Sequence, residues 1–115
     1  MPMENQKPAM QSNNDCYMIY QLKRDDETGD YRFVSLAHLK ARGFSVDMER
    51  YDLIYTAALS TSDTLESLYH KFNTAHPADF RGHSLSVSDI VVMQRNGKSA
   101  SYYVDAFGFS ELSFL

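Results

Sequence analysis

The densest set of chemically capable side chains runs His76-Pro77-Ala78-Asp79-Phe80-Arg81-Gly82-His83-Ser84, with His70 shortly before it. Imidazole, carboxylate and hydroxyl are the groups of a nucleophilic hydrolase, in which a histidine deprotonates a serine and a carboxylate orients the imidazole. Closeness along the chain does not supply that geometry. The Gly-x-Ser-x-Gly turn that presents a serine in one large class of hydrolases does not occur. The same side chains are metal ligands by type, but the spacing of His70, His76, Asp79 and His83 matches none of the specific zinc patterns. The expectation is a structured loop without metal or cofactor, in which Asp79 accepts backbone amides, Arg81 pairs locally and the imidazoles bond to carbonyls. A small hydrolase or metal-dependent protein built on His76, Asp79 and His83 is the alternative.

Two other candidates are weaker. Cys16 is the sole cysteine, so no disulfide forms within the chain, and a lone cysteine is more often a small apolar residue than a nucleophile. Gly97-Lys98-Ser99 has the ending of a phosphate loop but lacks the upstream glycine. It also follows Asn96, and Asn-Gly between two apolar runs signals a hairpin turn, because both residues tolerate positive φ.

The elements that must position these groups can be read in order. Residues 1–15 are polar, carry Pro2 and Pro8, and are expected to be a disordered tail; residues 16–115 are expected to form one domain. Residues 17–22 read as a strand and 23–31 as a loop. Ser35 begins a short helix with Leu36 and Leu39 on one face, and Gly43 ends it. Residues 51–59 read as a second strand, expected in the centre of the sheet. Asp63 and Glu66 have the spacing of a capping box. Leu65, Leu68, Tyr69 and Phe72 fall at i, i+3, i+4 and i+7, the spacing of one helical face, with Asn73 as the stop. Residues 87–94 and 99–104 flank Asn96-Gly97, pairing Arg95 with Lys98, Met93 with Ala100, Val91 with Tyr102, Val92 with Ser101 and Ile90 with Tyr103. Phe107, Phe109, Leu112, Phe114 and Leu115 are expected to pack back on the core. The predicted fold is a two-layer α+β domain, β-α-β-α-β-β, with about four strands in a mixed or antiparallel sheet and both helices on one face.

Composition excludes several classes. With 115 residues, 43% apolar and 23% charged, the chain suits a single hydrophobic core. No window reaches the roughly 18 apolar residues of a membrane span, and the polar N-terminus lacks a secretory signal. A cytoplasmic protein without a membrane partner is expected. The net charge is −4 and the basic residues are scattered, so direct nucleic-acid binding is not expected. Tyr102 and Tyr103 point to opposite faces of a strand, which leaves one of them available to anchor a protein partner.

The block from Phe72 to Val92, the Asn96-Gly97 turn and Tyr103-Val104-Asp105-Ala106-Phe107-Gly108-Phe109 resemble the YodL-like domain family. The strand at 51–59 and the helix with Leu68-Tyr69 fit the same likeness, which extends from Tyr17 to the C-terminus. The resemblance implies a Firmicutes protein in a mobile-element setting, beside antirestriction-type domains, with no established activity. The expected function is a non-catalytic protein-binding accessory domain acting on an element-encoded protein or a host defence protein such as a restriction or CRISPR effector. Its expected surface is the 76–83 loop with the neighbouring hairpin: His76, Asp79, Phe80, Arg81, His83 and Tyr102.

Overall fold

The computed structural model describes residues 15–113. The expected tail therefore lies outside the described residues except for Asp15, and Phe114 and Leu115 lie outside them too. Asp15 belongs to the fold: it is buried, its carbonyl accepts from Leu59 N at 3.0 Å and its carboxylate from Asn96 N at 3.0 Å.

Strand β1 (Cys16–Leu22) is followed by a 3-10 turn (Asp26–Tyr31), helix α1 (Leu36–Ala41), a second 3-10 turn (Met48–Arg50), β2 (Tyr51–Ala58), α2 (Leu65–Thr74) and three strands, β3 (Ile90–Arg95), β4 (Lys98–Val104) and β5 (Phe109–Leu112). The sheet order is β2-β1-β3-β4-β5, with every pairing antiparallel. The sheet thus has five strands rather than about four. The added strand, β5, is a short piece of the expected apolar tail. β2 lies at an edge rather than in the centre where it was expected, and β1 is an interior strand paired with β2 and β3. A β-bulge interrupts the β1–β2 ladder, where the register passes from Ile19↔Tyr55 to Tyr20↔Leu53 and leaves Ile54 as the extra residue.

The helices lie on opposite faces, correcting the expectation of one covered face. Tyr17, Ile19 and Val91 pack with Leu68 and Phe72 of α2. Leu22, Ile90, Val92 and Tyr103 pack with Leu36 and Leu39 of α1. Neighbouring residues of a strand point to opposite sides, so Ile90, Val91 and Val92 assign one helix to each side.

Local chemistry sets these elements. Ser35 caps α1 by accepting from His38 N, as expected, and Gly43 takes φ +83° beyond its end. The capping box of α2 is Thr64 with Ser67, one residue later than the expected Asp63–Glu66. Asp63 instead accepts from Ser60 N at 2.8 Å and shapes the turn before the helix. Asn73 does not stop α2, which continues to Thr74; its amide bonds Tyr69 O and Leu85 O. Burial of Leu68 and Phe72 contributes roughly 1.5–3 kcal/mol each. The hairpin follows the expected register at every pair, with Asn96 and Gly97 both at positive φ.

Candidate functional site

The 76–83 loop lies against the α2 side of the sheet, and its residues have separate roles. Phe80 is a core residue and not a surface contact. It is 4% exposed and meets Phe72 and Tyr55 edge-on, with centroids 4.8 and 5.7 Å away. Asp79 is exposed and accepts from Tyr55 Oη at 2.9 Å rather than from backbone amides. Arg81 donates to Ala78 O at 3.1 Å, a local pairing of the expected kind. His76 is exposed, with Nδ1 3.0 Å from Pro77 O. Tyr102 is half-buried on β4 while Tyr103 is fully buried. Among the described residues no three His, Cys, Asp or Glu side chains lie where they could hold one metal ion. Nor does any imidazole in them bond a serine hydroxyl.

His83 is half-buried and bonds to neither His76 nor Asp79 among the described residues. Its Nδ1 donates to Ser84 O at 2.7 Å, which leaves Nε2 facing Asp89 Oδ1 at 3.9 Å. Asp89 is 2% exposed, and burial pushes its carboxyl up to about 7. Hydrogen bonds from Ser86 N and Gln21, together with the charge of Arg32, pull the other way. Gln21, also buried, fixes the group. Its Nε2 donates to His83 O at 2.9 Å and to Asp89 Oδ2 at 3.1 Å, while its Oε1 accepts from His83 N at 3.2 Å. Gly82 lies against this amide: a Cβ there would come within 2.4 Å of Gln21 Oε1, 2.7 Å of Ile54 Cγ2 and 2.9 Å of Phe80 Cζ. The cluster is a buried polar clamp that ties the loop to β1 and to the start of β3.

Beside the clamp is a cavity of about 500 Å³ lined by Gln21, Leu22, Lys23, Arg24, Asp52, Ile54, Arg81 and Gly82. Lys23 donates to Asp52 at 2.8 Å, and this bond raises the pKa of the ammonium group.

A different chemistry collects where β3 begins and β4 ends. Ser88 N donates to Val104 O at 2.9 Å, and Ser88 Oγ accepts from Phe33 N at 3.2 Å. Asp105 Oδ1 accepts from Leu36 N at 3.1 Å and from Ala106 N at 2.9 Å. These bonds tie the segment before α1 to the β4–β5 turn. On that frame stand Phe107, 96% exposed, and Phe33, 67% exposed. Phe33 holds φ +57°, a region that a bulky residue rarely occupies. Alongside is an apolar cleft of about 280 Å³ lined by Glu66, Tyr69, Val104, Asp105, Ala106, Gly108 and Phe109. Phe107 thus departs from the expectation that it packs on the core.

The YodL-like domain model matches residues 16–114. The chain belongs to the YodL-like domain family. No match appears among the curated proteins or among the solved structures compared with it. No helix among the described residues of this YodL-like domain is long and apolar enough to cross a membrane.

Sequence reasoning on this YodL-like domain missed Phe33, Phe107, Gln21 and Asp89 as members of a site. Gln21 and Asp89 lie 68 positions apart, and no local pattern connects them.

Proposed function

We propose that this YodL-like domain is a non-catalytic protein-binding module, an accessory factor of mobile-element type that acts on an element-encoded or host defence protein. The observation that supports the reading is a pair of exposed aromatics, Phe33 and Phe107, with Phe107 set between Ala106 and Gly108 of the apolar cleft that Tyr69, Val104 and Phe109 line. Exposed aromatics grouped around a pocket are the usual anchors of protein interfaces. Phe33 adds a second sign, because backbone held in a costly conformation collects at binding sites. Glu66 on the rim of the cleft suits a partner segment that offers an apolar side chain next to a lysine or arginine.

The test is affinity purification of the tagged protein from its host beside a Phe33→Ala/Phe107→Ala variant, with circular dichroism to confirm that both fold. A stoichiometric protein retained by the parent and reduced at least tenfold with the variant is the expected result. Equal recovery by both, or no retained protein, defeats the reading.

A further inference from the structure

The cavity beside the clamp gathers basic side chains that the fold leaves largely unused among the described residues. Three of the chain's 11 lysines and arginines line it, against one carboxylate, in a protein whose net charge is −4. Only Lys23 is neutralised, by Asp52. Arg24 is exposed, and its side chain makes no hydrogen bond or ion pair among the described residues. Arg81 uses one guanidinium nitrogen on Ala78 O, and its other side-chain donors have no partner among the described residues. The backbone N–H groups of Arg81 and Gly82 donate to no group among the described residues. Gly82 is held in place by Gln21, Ile54 and Phe80, so closely that no side chain fits there. The amide at the cavity wall is therefore positioned rather than loose.

We infer that this cavity is a binding site for the phosphate group of a small phosphomonoester, held by Arg24, Arg81, Lys23 and the Gly82 N–H. Among the lining side chains three cations face one carboxylate, Asp52, with Asp25 acting on Lys23 from outside the lining, and the two remaining guanidinium charges suit a phosphomonoester of roughly −1.5 to −2 at neutral pH. Guanidinium groups present forked donors to phosphate oxygens, and the half-buried Gly82 amide, without a partner among the described residues, adds a donor at short range. A volume of about 500 Å³ falls within the roughly 300–1,000 Å³ range of small-ligand sites. The site lies at the β2 edge of the sheet, away from the aromatic end near β5, and does not depend on the protein-binding reading.

The experiment is an amide NMR titration of the intact protein with sodium phosphate at pH 7.5 and constant ionic strength. Sodium chloride and sodium acetate serve as parallel arms, and phenyl phosphate follows as a monoester. Saturable shifts at Arg24, Arg81 and Gly82 are expected for phosphate and phenyl phosphate, at least tenfold weaker in Arg24→Ala and again in Arg81→Ala. Both positions are exposed, so both variants should fold. Shifts that never saturate, that acetate or chloride reproduces, or that persist in both variants overturn the assignment.

Discussion

His83 Nε2 faces Asp89 Oδ1 at 3.9 Å across a carboxyl group that burial pushes up to about 7. An unfolded aspartate titrates near about 3.9, so the folded state holds this proton the more tightly. The contribution to stability is complete below about pH 4 and falls as pH rises through about 7. At about 1.4 kcal/mol per pKa unit, the loss is roughly 2–4 kcal/mol. Asp89→Asn keeps an acceptor for Ser86 N and Gln21 and cannot ionise. Urea denaturation between pH 5 and pH 8 should show a steep loss in the parent and a clearly flatter one in this variant. Parallel curves would refute the account.

Gly82→Ala should cost about 2–3 kcal/mol. Its methyl must displace the Gln21 amide, which is anchored at three points, and overpacking of this kind typically costs about 1–3 kcal/mol before any hydrogen bond is lost. Gly29→Ala is the control, since a Cβ there meets nothing within 4 Å and its φ is not positive. Denaturant midpoints for the two variants decide it, and similar losses would contradict the packing described at Gly82.

Two phenylalanines should behave as opposites. Phe72→Ala removes a ring that is 0% exposed and meets Tyr17, Tyr55 and Phe80 edge-on, at a cost of about 3–5 kcal/mol. Phe107→Ala should stay within about 0.5 kcal/mol of the parent. Thermal melts of both proteins test the contrast, and a large loss in Phe107→Ala would assign that ring to the core.

Phe33→Gly should raise stability by about 1 kcal/mol. Left-handed backbone costs a side-chain-bearing residue roughly 1–2 kcal/mol, the ring is exposed, and the bond from residue 33 N to Ser88 Oγ survives the change. The same variant should weaken partner capture. A loss of stability would mean that the ring supports the fold.

What the sequence disclosed depended on whether the signal was local. Asn96-Gly97 specified the hairpin because two adjacent residues tolerate positive φ, and all five expected pairs formed. The spacing of Leu68 and Phe72 revealed α2 for a similarly local reason. The two covered faces were present in the sequence but went unread: Tyr17-Met18-Ile19-Tyr20 has no polar alternation, which is the pattern of a strand buried on both sides. β5 is only four residues long with Ser110 and Glu111 inside it, too short and polar to register. The site was legible only in part. The 76–83 loop was recognised as structured, but whether Phe80 or Phe107 is exposed depends on distant contacts that residue type does not report.

The bulge at Ile54 has a consequence for how the protein behaves at high concentration. β2 is an eight-residue edge strand with Leu53 half-exposed and Asp52 as its only charged residue, a composition that would template pairing between molecules if the strand were flat. An extra residue bends and twists an edge, so its outer amides and carbonyls fall out of step with those of a second strand. The irregularity therefore ends the sheet at β2 and protects the protein against aggregation from that side.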